Sequence, residues 1–78
     1  MMLLTVELRD GDKPGRAGVA LCLDDEGLEV LVRRLERLRG RREHEHLMTP
    51  AWAGSELTDS KQGGPEFELV NHLRIVKF

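Results

Sequence analysis

The chain has 78 residues, of which 33% are charged and 40% hydrophobic, and its formal net charge is -2 at pH 7. This composition predicts a soluble folded domain over residues 1–78, and it excludes a membrane span because no stretch approaches the ~18 apolar residues that a span needs. The single cysteine, Cys22, cannot form an intrachain disulfide and is typical of a reducing compartment. The N-terminus shows neither a basic leader nor a long apolar run, so we predict a cytoplasmic protein that is mature from Met1.

A chain of this length buries only roughly 60–65% of the surface that its unfolded form exposes. We therefore expect its stability to be thin or to be shared with a partner, and a homodimer is one such partner.

Residues 2–23 predict a β-hairpin. The first strand alternates apolar and mostly polar positions up to Arg9, and the second runs from Gly18 to Leu23. Turn-forming residues and a proline at 10–17 predict the connecting loop.

A helix is predicted to follow from about Asp25 to Arg39 and to end at Gly40. Acidic residues stand at its start, as helix capping and the helix dipole favour. Its expected buried stripe, with apolar residues three and four positions apart, is Leu28, Leu31, Val32, Leu35 and Leu38.

Arginines crowd the end of this helix and the residues after it. The set comprises Arg33, Arg34, Arg37, Arg39, Arg41 and Arg42. We interpret them chiefly as a solvated surface that matches the helix dipole. The alternative is a nucleic-acid footprint made of Arg33, Arg34, Arg37, Arg41 and Arg42. The chain has no Tyr, two Phe and one Trp, and therefore no evident stacking platform, so nucleic acid is not the favoured partner.

Residues 57–65 are polar and rich in glycine, which predicts a mobile surface loop. Residues 66–78 predict a final strand with an irregularity near Asn71. The whole pattern predicts a two-layer α+β fold of about four mostly antiparallel strands and one amphipathic helix, in the order β-β-α-β-β. The expected core is Leu4, Val6, Leu8, Val19, Leu21, Leu23, Phe67, Leu69, Leu73 and Ile75 beneath the helix.

The opposite sheet face is too apolar to be an ordinary exposed surface. It would carry Leu3, Thr5, Glu7, Ala20, Cys22, Val70, His72, Arg74, Val76 and Phe78. This face could be covered in either of two ways: by the segment from Thr49 to Pro65 with Trp52, or by another subunit or protein.

Residues 43–57 are the least generic stretch, and the strand predicted there ends at Thr49-Pro50. On a strand, His44 and His46 project to one face, and His72 could add a third nitrogen for a zinc site. The favoured interpretation is that neutral histidines fill a half-buried face, so no metal or cofactor is expected. No motif for a catalytic nucleophile, a phosphate cradle or a metalloprotease is present, so we expect neither an enzyme nor a small-molecule substrate. Trp52 is either a lid over the sheet or an anchor in an interface.

Several stretches of the second half of the chain carry a family resemblance: His46-Leu47-Met48-Thr49-Pro50-Ala51-Trp52, then Gly54, Glu56-Leu57, Lys61-Gln62-Gly63 and Leu69-Val70-Asn71-His72-Leu73-Arg74-Ile75-Val76. Together they resemble the immunity protein 32 family of bacterial polymorphic toxin systems. With the helix, the resemblance covers about residues 25–78, and Ala53 stands where glycine would be expected. It implies a cytoplasmic antidote that binds a cognate toxin and blocks it without chemistry of its own. For contact with the partner we predict His44, His46, Trp52 and Glu56.

Overall fold

The computed structural model describes residues 1–11 and 15–78. In chain order its elements are β1 (Leu4–Arg9), β2 (Gly18–Leu23), α1 (Asp25–Glu36), β3 (His44–Met48), a 3₁₀ turn (Pro50–Trp52), β4 (Phe67–Val70) and β5 (His72–Val76). The predicted α+β class is confirmed, with one helix and antiparallel strands. Within the described residues the strands number five rather than four, because the last predicted strand is divided in two. Part of the predicted hairpin loop, residues 12–14, lies outside the described residues.

The strands form two antiparallel sheets, one with the order β2-β1-β4 and one that pairs β3 with β5. Asn71 is the joint between β4 and β5, where pairing passes from β1 to β3. Its backbone oxygen accepts a hydrogen bond from the Thr49 amide at 3.0 Å, and its side-chain oxygen accepts one from the Thr49 hydroxyl at 2.7 Å. The irregularity predicted near this residue is therefore the point at which the two sheets meet.

Four buried side chains form the centre of the core: Leu4, Val6, Leu47 and Leu57. Leu23, Val30, Leu31, Val70, Leu73 and Ile75 pack around them. The prediction placed Phe67 and Leu69 on this side of the sheet, and that was wrong. In the observed register Val70 lies opposite Val6, so the alternation of β4 turns Phe67 and Leu69 to the other face.

That other face of β1 is also buried, because the segment after Leu57 covers it. Glu7 is fully buried and accepts hydrogen bonds from the Thr5 hydroxyl at 2.6 Å, the Gln62 amide at 2.8 Å and the Gly63 amide at 2.6 Å. These hydrogen bonds, that from the Thr5 hydroxyl first, hold the pKa of Glu7 below its ordinary value.

Two further hydrogen bonds attach this segment to the start of β1. The Thr58 amide donates to the Leu4 oxygen at 2.7 Å, and the Leu4 amide donates to the Thr58 hydroxyl at 2.9 Å. The chain's own segment therefore covers the Thr5 and Glu7 side of the sheet. The predicted surface loop over residues 57–65 is exposed at residues 59–62, but Leu57 belongs to the core.

Helix α1 begins where predicted, with the Asp24 carboxylate accepting the Gly27 amide at 2.8 Å. This bond comes first among the causes that lower the pKa of Asp24. The helix ends at Glu36 rather than Arg39, and turns carry the chain to Gly40, whose φ of 70° is left-handed.

The buried side of α1 differs from the predicted leucine stripe. Gly27 and Leu38 are buried, whereas Leu28, Val32 and Leu35 are 43%, 41% and 45% exposed. The reason is the close approach at Gly27, where an added Cβ would lie 1.9 Å from the Leu3 oxygen. The helix thus packs its backbone against the chain at the start of β1 and leaves three of the five residues of the predicted stripe exposed. Among the described residues, no helix is long and apolar enough to cross a membrane.

Candidate functional site

The outer face of the β3–β5 sheet carries the distinctive residues of the sequence. The burial of β3 alternates, with Glu45 and Leu47 turned inward and His44 and His46 exposed. The register places Arg74 opposite His46 and His72 opposite Met48. The predicted strand from which both histidines project to the same side is therefore confirmed.

The rings of His46 and His72 are hydrogen-bonded to each other, with His46 Nδ1 and His72 Nε2 2.7 Å apart. The rings are stacked, with centroids 4.9 Å apart and planes at 20°. His44 meets the edge of His46 at 4.7 Å and 85°. In this hydrogen bond one of the two ring nitrogens carries a proton and donates it, and the other is unprotonated and accepts it.

Trp52 extends this stack at its other end. Its ring lies 5.7 Å from that of His72 at an interplanar angle of 24°, and its side chain remains 55% exposed. We call the four rings, His44, His46, Trp52 and His72, the ring stack. Trp52 does not cover the Thr5 and Glu7 side of the sheet, so the lid expected there is formed by the later segment alone.

Backbone hydrogen bonds fix the turn that presents Trp52. The Trp52 and Gly54 amides both donate to the Thr49 oxygen at 2.9 Å, and Pro50 opens the 3₁₀ turn. Ala53 follows in the left-handed conformation with a φ of 62°. An added Cβ on Gly54 would meet the Met48 oxygen at 2.3 Å, so the chain returns closely against β3 at this glycine. The exposed tryptophan therefore stands on an ordered support.

The pKa of His46 is below its ordinary value of 6.5. Loss of solvation is the largest cause, and the positive charges of His44, His72 and Arg74 add to it, while Glu45 acts in the opposite direction. A neutral His46 can keep its bond to His72, whereas protonation of both rings would place two donors against each other.

Glu56, the fourth predicted contact residue, lies apart from the ring stack. Its carboxylate accepts the Met48 amide at 3.0 Å and lies 3.5 Å from Arg34. Burial raises the pKa of Glu56, but the Met48 amide and the Arg34 charge outweigh it and leave the pKa lowered. Arg34 also pairs with Glu45, on the inner side of β3, at 3.1 Å. Glu56 thus ties the turn to α1.

The structure gives most of the helix-end arginines partners within the fold. Arg37 lies 3.5 Å from Glu45, Arg39 lies 2.6 Å from Glu36, and the Arg33 side chain donates to the Glu29 oxygen at 3.3 Å. The Arg39 pair comes first among the causes that lower the pKa of Glu36 and raise that of Arg39. Arg34, Arg37 and Arg39 are thus paired with carboxylates of the fold, and Arg33 contacts a backbone oxygen.

The three histidines converge, but their arrangement is that of a stacked and bonded set. Within residues 1–11 and 15–78, no group of three or more His, Cys, Asp or Glu side chains is arranged to hold a metal ion. The hydrogen bond between His46 and His72 uses His46 Nδ1 and His72 Nε2.

Of the four residues predicted to contact a partner, the structure brings His44, His46 and Trp52 together in the ring stack and places Glu56 apart from it, beside Met48 and Arg34. Sequence reasoning listed His72 and Arg74 on an outer sheet face but did not name them as contacts. The signal that could have found them is the period of two on β5, which turns both toward the side of His46 once the register is known.

A scan against protein-family models returns no match, and searches of curated proteins and of solved structures find no significant similarity.

Proposed function

We propose that this chain is a cytoplasmic, non-catalytic binding protein of the immunity type, which binds and neutralises a cognate toxin domain through the ring stack. The observation that carries the proposal is the exposed Trp52, held against His72 by an ordered turn. Exposed tryptophans on fixed supports are frequent binding hot spots, because a partner can bury a large ring at little entropic cost.

The residues of the family resemblance also build this support. Thr49 joins the turn to Asn71, and Glu56 and Leu57 both bond to the backbone of Met48. The run that resembles the immunity protein 32 family therefore acts locally by presenting Trp52 and the histidines. This supports a protein partner, with occlusion of the toxin as the mechanism.

The rival proposal, a nucleic-acid-binding module, has less support from the contacts. Arg34 and Arg37 would have to give up Glu45 and Glu56 before they could contact phosphates. It predicts retention on duplex DNA or RNA that weakens steeply with salt. If the protein is not retained on nucleic acid at low salt, this rival proposal is wrong.

The test is co-expression with the toxin domain encoded beside this chain, followed by titration of the purified pair. We expect protection of the cells and a stable complex. Trp52→Ala should weaken the complex at least tenfold, as loss of a hot spot of about 2 kcal/mol would. Leu28→Ala is the matched control, since Leu28 is 43% exposed on α1 and lies outside the ring stack. Equal killing with and without the chain would contradict the proposal.

A further inference from the structure

An apolar patch separate from the ring stack extends over β2 and α1. Its members, here called the β2–α1 patch, are Leu8, Val19, Leu21, Leu28, Val32 and Leu35, all between 37% and 70% exposed. Leu8 lies opposite Val19 in the register, and α1 follows β2 directly and contacts it. We propose that this patch, with the free edge of β2, is where a second copy of the chain binds.

The first argument is the chemistry of the edge. Within the part of the chain that the structure describes, β2 is the terminal strand of its sheet, so one row of its backbone groups has no strand partner there. Its sequence, Gly-Val-Ala-Leu-Cys-Leu, contains no charged residue and no proline. Edge strands that remain free are usually protected by lysine, proline or a bulge. β3, β4 and β5 each carry a charged residue, Glu45, Glu68 and Arg74 respectively.

The second argument is the orientation of the apolar side of α1. Arg34 and Arg37 contact Glu45 of β3 from one side of the buried helix stripe. At 100° per residue, Leu28, Val32 and Leu35 lie on the other side of that stripe. The exposed apolar residues of the helix therefore point away from β3 and extend the surface of β2 rather than that of the ring stack.

The third argument is size. The exposed fractions of the six side chains correspond to an apolar surface on the order of 500 Å² per chain, at the upper end of what a monomer exposes. A standard interface buries about 800 Å² per partner, roughly 60% of it apolar. The β2–α1 patch therefore supplies the apolar share of one stable interface.

The fourth argument is charge, which selects the antiparallel pairing and a copy of the same chain. Arg16 precedes β2, and Asp24, Asp25 and Glu26 follow it. When two β2 strands pair antiparallel about a two-fold axis, the basic end of each lies beside the acidic end of the other. The pairing would join two three-stranded sheets into one of six strands, with both helices on the same face.

The decisive measurement is sedimentation equilibrium over a wide range of protein concentration, combined with amide exchange of β2. We expect a dimer whose β2 edge amides become protected as the dimer forms. Leu21→Lys, at a side chain that is 44% exposed, should weaken dimerisation at least tenfold. Val76→Lys is the control, because Val76 is 38% exposed on the outer face of β5. Circular dichroism of each variant establishes that it is folded.

A second pair of variants tests the antiparallel arrangement independently of packing. Arg16→Glu should weaken the dimer, and adding Asp25→Lys to it should restore part of the lost affinity. A monomer at all concentrations, a dimer unchanged by Leu21→Lys, or a dimer lost in Val76→Lys would each overturn the proposal.

Discussion

Replacing Gly27 with alanine should destabilise the protein, although alanine is the better helix former. Helix propensity alone favours alanine over glycine by about 1 kcal/mol. Against this, the new Cβ would lie 1.9 Å from the Leu3 oxygen and 3.2 Å from the Leu4 Cβ. Since non-bonded carbon contacts are comfortable at about 3.5–4.0 Å, α1 or β1 would have to move by more than about 1 Å.

Such a movement also affects the helix start. The Leu3 oxygen accepts the Asp24 amide at 3.1 Å, and Asp24 caps the helix through the Gly27 amide. Overpacking costs about 1–3 kcal/mol, and a weakened hydrogen bond adds about 1 kcal/mol. After the gain in propensity is subtracted, we expect Gly27→Ala to lower the free energy of unfolding by about 2 kcal/mol. For a domain of this size that is a drop in Tm of about 8–16 °C.

Thermal and urea unfolding of dilute protein would measure this change. Gly18→Ala is the matched control, because the nearest atom to its added Cβ, on Arg9, is 3.8 Å away. That variant should leave Tm unchanged or raise it slightly. A Tm for Gly27→Ala equal to or above that of the unmodified chain would refute the backbone contact between α1 and β1.

Three further predictions concern the turn, the ring stack and the buried carboxylate. Ala53→Gly should raise Tm by a few degrees, because a left-handed alanine costs about 1–2 kcal/mol, which outweighs the entropy of an added glycine; an unchanged or lower Tm would contradict this. Because the folded state lowers the pKa of His46, the unfolded chain binds more protons, so stability present above pH 6.5 should be lost as the pH falls below it. His46→Gln should flatten that slope below about pH 6.5 in urea titrations, and an identical slope would argue against the effect. Glu7→Gln should speed amide exchange at Gln62 and Gly63 and leave exchange in β3 unchanged, whereas uniform acceleration would show general loosening instead.

Short-range sequence patterns predicted the positions of the strands and the helix well, because each of these elements is determined by residues within or next to it. Period-two alternation located β1 and β3, and the acidic cap located the start of α1. The side of the helix that packs was predicted poorly. Hydrophobic patterning selects the most apolar side, but the absence of a side chain at Gly27 permits a closer approach than any leucine does. The helix therefore makes its closest contact with β1 at the glycine, and the apolar residues next to this contact remain exposed to solvent.

The buried Glu7 could not be predicted for a different reason. Alternation turned it outward, away from Leu4 and Val6, and that orientation is correct. What the sequence does not encode locally is that backbone amides 55 and 56 residues later close over it. A carboxylate enclosed by amide donors is stable in a buried position, but the pairing depends on a chain crossing that no short-range pattern reveals.

In the candidate site, too, some features follow from local sequence patterns and others depend on contacts between distant parts of the chain. The shared face of His44 and His46 follows from strand geometry, whereas the meeting with His72 requires the register of β3 and β5. Glu56 is near Trp52 in the sequence, but the left-handed Ala53 lies between them, and the Glu56 carboxylate contacts Met48 and Arg34.

The fold therefore has two separate surfaces with different chemistry. The ring stack lies on the β3–β5 sheet and is aromatic, titratable and held by hydrogen bonds. The β2–α1 patch lies on the other sheet and the helix, and is aliphatic and bordered by opposite charges. Arg34, bonded to Glu45 and Glu56, lies on the side of α1 that faces β3, away from Leu28, Val32 and Leu35. Because the two surfaces do not share a residue, a dimer formed through β2 would leave each Trp52 accessible, and one assembly could bind two copies of its partner.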